Sequence, residues 1–177
     1  MTIYATVTLT QAELMVASLI GSARHVQAST KGWKDDVPPE DSWGYNIEGV
    51  AGEMAAGKHL NIYWQPIVGN PKADDTGPYQ VRTNSSRRLT DTRIMPKDHP
   101  AKVFIGVLSF SPQFHIIGWI WGREALAHPE WYRVGRPNTA PVYWVPESEL
   151  HPMDTLPTKA ELAHAAFEYD RQASAAE

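Results

Sequence analysis

The order in which this chain changes character limits its fold more than any other feature. Two stretches with helical spacing come first, a run of strand-like segments follows, and a helical stretch comes last. That order argues for an α+β arrangement over a regularly alternating βαβ one. Thr10 to Glu13 reads T-Q-A-E, a capping box in which hydroxyl and carboxylate each accept a backbone N–H of the first turn. The helix it opens runs through LMVASLIGSARHVQA to about Ser29, with Leu14, Ala17, Ile20 and Ala23 at helical spacing. From Thr30 to Trp43 the text KGWKDDVPPEDSW has the Pro, Asp and Gly content of an irregular loop. Asn46 then starts a second predicted helix, IEGVAGEMAAGKHL, whose Gly49, Gly52 and Gly57 weaken it intrinsically and permit close packing on a sheet.

After Asn61 the segments IYWQPIV, PYQVRTN, RLTDTRIM, KVFIGVLSF and QFHIIGWIW read as strands, separated by Gly, Pro, Asn, Asp and Ser. GREALAHPEW reads as a short helical turn ended by Pro129, and APVYWV as a further strand. Thr158 to Glu161 repeats the capping box and opens a C-terminal helix, KAELAHAAFEYDRQA, with Leu162, Ala166 and Tyr169 on one side. At 177 residues without internal repeats, a single domain spanning 1–177 is expected.

Composition narrows the chemistry. With no cysteine, disulfides, thiolate catalysis and sulfur-ligated zinc are excluded, so a metal would need oxygen or imidazole ligands. The seven histidines show no HxxxH or HxH spacing, and no Walker loop, GxGxxG fingerprint or GxSxG elbow occurs. No apolar run is long enough for a membrane span, and MTIYATVTLTQAEL lacks the plan of a signal peptide, so the expected location is the cytoplasm. The net charge of -4 conceals an asymmetry. Asp35, Asp36, Glu40, Asp41, Glu48 and Glu53 form a stretch without Lys or Arg, whereas Arg82, Arg87, Arg88, Arg93, Lys97 and Lys102 face only Asp91 and Asp98. The seven tryptophans suit core and rim packing; base stacking beside a basic groove is the alternative.

Four residues invite a chemical reading. Glu53 shares a helical face with Val50, Ala56 and Leu60, so its carboxylate must be paired, hydrogen-bonded or metal-bound. It either binds a metal or sits at the rim of that face, paired with an arginine such as Arg24. Asp75 precedes the turn Thr76-Gly77-Pro78, where it forms a turn or stands at a strand mouth, with Asp74 competing for any role. On the following strand Gln80 and Arg82 point to one face and Val81 to the other.

Taken together, the helix glutamate in GVAGEMAAGKHLN, an aromatic first strand IYW, an aspartate and a strand ending QVR resemble the PD-(D/E)XK nuclease superfamily, in its phage and prophage-type branch. The resemblance spans about Asn46 to Trp121, with IIGWIWGREA fitting its last part. It implies a restriction-endonuclease-like core at about 46–146, a mixed central sheet flanked by helices, and a C-terminal helical extension at 150–177. Carried over, Glu53 matches the helix acid, Asp75 the strand aspartate, Gln80 the second acid and Arg82 the lysine of the implied catalytic set, the last two departing from the pattern. Glu53 and Asp75 would hold Mg²⁺ or Mn²⁺, with the amide oxygen of Gln80 as a neutral ligand. Arg82, always protonated, cannot act as a base but can grip a phosphate. Arg87, Arg88, Arg93, Lys97 and Lys102 would follow a nucleic-acid backbone.

The expected function is a metal-dependent nuclease-like protein acting on or binding DNA. The alternative is a degenerate nuclease fold that binds nucleic acid or a protein as a phage regulator or inhibitor, with the acidic loop 31–43 as the surface for a protein partner.

Overall fold

In the computed structural model the described residues are 2–32, 39–70, 73–85, 90–135 and 139–175, and the side chains of residues 39 and 40 are left aside. The architecture is α+β, with a mixed sheet flanked by helices. β1 (Ala5–Thr8) leads through the cap residue Thr10 into α1 (Gln11–Thr30), and α2 (Pro39–Leu60) follows. Both bonds of the first capping box form: Glu13 N–H donates to Thr10 Oγ1 at 3.2 Å, and Thr10 N–H to Glu13 Oε2 at 2.6 Å.

The helix expected from Asn46 starts at Pro39, so residues 39–43 of the expected loop are helical. Proline at the first position of a helix sacrifices an N–H that would have had no partner, and the acids that follow favour the positive end of the helix dipole. From Val50 to Gly57 every residue of α2 is buried. Small residues make this possible. A Cβ on Gly52 would fall 1.9 Å from Thr83 Oγ1, and one on Gly21 of α1 would fall 2.6 Å from Ile47 Cα. Helix α2 therefore lies tightly against both α1 and the sheet.

Residues 62–68, expected as a strand, form none. Ile62 and Trp64 pack against the core without strand pairing. Pro66 in their midst has no N–H to give a ladder. The chain then forms β2 (Gln80–Asn84), β3 (Thr92–Ile94), β4 (Val103–Phe110), β5 (Gln113–Trp121) and α3 (Gly122–Leu126). β6 (Tyr132–Arg133) and β7 (Val142–Val145) precede α4 (Lys159–Ala175). The four-stranded sheet runs β1-β5-β4-β2, antiparallel except for the parallel β2–β4 pair; β3-β7-β6 form a second, antiparallel sheet.

Two cores lie on opposite faces of β4 and β5. Val103, Ile105 and Val107 of β4, with Phe114, Ile116, Trp119 and Trp121 of β5, pack with α1, α2 and Leu162 of α4. Phe104, Leu108, Ile117 and Ile120 pack with Ile94, Val145 and Ala125 from β3, β7 and α3. A strand covered on both sides has no wet face, which explains the nearly unbroken apolar text of KVFIGVLSF and QFHIIGWIW. A bulge between Gly106 and Val107 leaves Ile117 of β5 without a register partner, and Gly118, at φ +132°, meets the His151 carbonyl, where a Cβ would fall 2.7 Å from its oxygen.

Candidate functional site

β2 is the last strand on its side of the four-stranded sheet, and the charged residues gather around its first turn of chain. Glu53, on α2, is 6% exposed. Burial there demands a partner, and α1 supplies it: Arg24 Nη1 and Nη2 donate to Glu53 Oε1 and Oε2 at 2.5 and 2.9 Å, while Arg24 Nε donates to the Ile67 carbonyl at 2.8 Å. The fork matches the carboxylate edge to edge. Desolvation, opposed by the Arg24 hydrogen bonds and reinforced by the nearby Asp75 charge, pushes Glu53 up to about 7. Trp64 Nε1, which has no partner of ordinary hydrogen-bond geometry, also lies near enough to favour the carboxylate.

Asp75 stands between the two faces of the sheet. Its Oδ2 accepts the Val81 N–H at 2.8 Å and lies 3.8 Å from Arg82 Nη1. Surrounding protein raises its pKa; Arg82 and the Val81 hydrogen bond oppose that rise. Arg82 turns to the other face, donating to Asp98 Oδ2 at 2.9 Å with its guanidinium 4.7 Å from the centre of the Phe104 ring. Asp98 also accepts the Met95 N–H at 2.8 Å, so a local turn fixes the acid that holds Arg82. Gln80 donates its amide to Asp74 Oδ1 at 2.8 Å, and Lys102 Nζ reaches the same oxygen at 2.6 Å.

Of the four residues singled out in the sequence, Arg82 lies 3.8 Å from Asp75 and the Asp75 charge reaches Glu53, while Gln80 turns to Asp74; Glu53 lies on the helix-covered face and Arg82 on the opposite one. Sequence reasoning named Arg24 as a possible partner of Glu53. It missed Asp98, which the local turn from Met95 orients and the fold brings to Arg82 from 16 residues away.

Oxygen donors of these kinds suit Mg²⁺ in type, but their arrangement does not fit it. Both Glu53 oxygens are held by a guanidinium and one Asp75 oxygen by a backbone N–H. Among the described residues no group of three or more His, Asp or Glu is placed to hold a metal ion. Arg24 already supplies the positive charge that a cation would bring.

Beside the acid cluster opens a cleft of about 480 Å³ between α2, β2 and the second sheet. Arg82, Arg93 and Lys97 line it, together with Asn84, Ser85, Tyr45 and Trp144. Of the basic residues expected to meet nucleic acid, Arg93 and Lys97 are in the cleft, Lys102 is drawn to Asp74, and Arg87 and Arg88 lie outside the described residues. Of the expected protein-binding loop, 33–38 also lie outside them; Trp43 is 47% exposed, with its ring 4.3 Å from that of His25. No described helix is long and apolar enough to cross a membrane.

Compared with family models, with curated proteins and with solved structures, the chain matches none.

Proposed function

We propose that this protein binds DNA through the cleft beside β2, on a nuclease-like scaffold of the restriction-endonuclease type whose acid cluster is neutralised from within. One observation carries the reading. The exposed Lys97 lines, with Arg93 held near the Tyr45 ring, a cleft that opens beside residues in the order of a nuclease site. The hydroxyl of Ser85 supplies a neutral donor for phosphate in the same cleft. Fluorescence anisotropy with labelled DNA over a salt series is the test. Affinity falling with salt, and falling less with salt in Lys97→Ala, is expected, because each phosphate contact releases counterions. Affinity independent of salt would remove the proposal.

A second reading, hydrolysis of DNA with Mg²⁺ or Mn²⁺ on Glu53 and Asp75, is favoured by the nearness of the two carboxylates, the Asp75 charge helping to raise Glu53. It requires Arg24 to leave Glu53. Cleavage of linear, nicked or single-stranded DNA that needs the metal and is lost in Glu53→Ala would establish it. No cleavage of any form would leave DNA binding alone.

A further inference from the structure

The cleft carries more aromatic surface than available charge. Its cations are Arg82, Arg93 and Lys97, and its acids Asp91 and Asp98. Arg82 is fixed to Asp98 at 2.9 Å, and Asp91 already pairs with Arg133 at 2.6 Å. Lys97 has no ion-pair partner among the described residues. Against this thin supply stand two rings from different walls. Tyr45 comes from α2 and Trp144 from β7, where its register partner across the sheet is Arg93. The Arg93 guanidinium lies 5.9 Å from the Tyr45 ring centre, and that of Arg133 lies 5.8 Å from the Trp144 ring. Arg93 therefore stands between the two rings of the cleft, near Tyr45 on one side and beside its register partner Trp144 on the other, while Arg133 meets Trp144 from outside the lining.

Duplex DNA is held chiefly by neutralising phosphates, which asks for many available cations on an open surface. An unpaired strand is held differently, by bases stacking on aromatic rings while a few cations follow its backbone. A cleft of about 480 Å³ is within the range of pockets that enclose small ligands, a size that suits a nucleotide or two of a single strand. We infer that the cleft receives an unpaired nucleotide strand, stacking a base against Tyr45 or Trp144 and setting its phosphates near Arg93 and Lys97. The inference rests on the DNA-binding reading above and names the form of nucleic acid it takes.

Gly49 provides a clean test. It lies on α2 at the cleft, and a Cβ built on it meets nothing within 4 Å, so a larger side chain enters the cleft without disturbing the packing of the helix. Anisotropy is measured with a labelled oligothymidylate and with a duplex of equal length, on the wild type, Gly49→Leu, Tyr45→Ala and Tyr45→Phe, each checked for an unchanged melting temperature. The single strand is expected to bind about 10-fold tighter than the duplex or better. Tyr45→Ala is expected to lose about 5- to 150-fold for the single strand, the range of one lost base stack, Tyr45→Phe little, and Gly49→Leu as much as Tyr45→Ala. Equal or tighter binding of the duplex overturns the inference and leaves DNA binding in place. So does single-strand binding that survives both Gly49→Leu and Tyr45→Ala. Failure of both probes to bind overturns the two readings together.

Discussion

Two of the ion pairs that fasten helices α1 and α2 among the described residues are physically unlike. Near the C-terminal end of α1, Arg24 meets Glu53 with 25% and 7% of the side chains exposed; near its start, Glu13 meets Lys58 with 31% and 42% exposed. The inner pair exists because Glu53 occupies a packing face and must be compensated. The outer pair adds a contact to a carboxylate already used to cap α1 at Thr10. Distance alone would rank them as similar. Water ranks them far apart, since it screens the outer pair and leaves the inner one to the protein.

The largest effect expected is on Arg24. Removing one member of a buried pair leaves the other charge stranded, so Arg24→Ala should cost about 3 kcal/mol in urea unfolding. Replacing both members by apolar residues, as in Arg24→Met with Glu53→Leu, should recover most of that loss. A loss in Arg24→Ala below about 1 kcal/mol would place the inner pair in the same class as the outer one.

The pH dependence should differ in sign between the two pairs. Glu53 is raised to about 7, so between the ordinary glutamate range and about 7 the folded chain holds more protons than the unfolded one. Stability therefore falls as pH rises through that window, and Asp75, raised by desolvation, adds to the slope. Glu13 is lowered, first by its hydrogen bond with Lys58 and then by the Thr10 N–H. Its contribution is present above the ordinary glutamate range and is lost as pH falls through its folded value. Unfolding free energies over a pH series should thus show Glu53→Gln flattening the decline toward neutrality and Glu13→Gln flattening the loss in acid. The same response from both variants would break the comparison.

The smallest effect belongs to Lys58. Lys58→Ala should change stability by about 0.2–1 kcal/mol, and raised salt should shrink even that. A cost equal to that of Arg24→Ala would mean that Lys58, which also donates to the Thr8 carbonyl at 3.2 Å, fixes β1 to the helices.

What could be read from the sequence follows the same division between local and distant causes. Helices α1 and α4 were legible because their capping boxes are written within four residues, and both form. β4 and β5 were legible from their apolar runs. β1 was not expected: ATVT is four residues long with only Val7 buried, and its pairing depends on β5, more than a hundred residues away. The segment 62–68 has a strand-like text, but no neighbour offers it a ladder. At the site, the nearness of Asp75 to Arg82 follows from their order around one turn and one strand, and that of Glu53 to Asp75 from the helix face that packs on the sheet. The partners that decide their state were legible only in part. Arg24 comes from 29 residues before Glu53, and Asp98 from 16 residues beyond Arg82.

The bond between Asp75 and the Val81 N–H bears on how molecules of this protein treat one another. Among the described residues no strand pairs with the outer side of β2, and an unpaired strand invites the backbone of another molecule. At Val81 that invitation is already answered: an incoming carbonyl finds the N–H taken, and a carboxylate sits where its own chain would have to lie. Asp75→Ala should therefore raise light scattering at concentrations where the wild type stays clear, and unchanged scattering would deny Asp75 this part. A residue suggested by its sequence as a metal ligand would then be what keeps neighbouring molecules apart in a crowded solution.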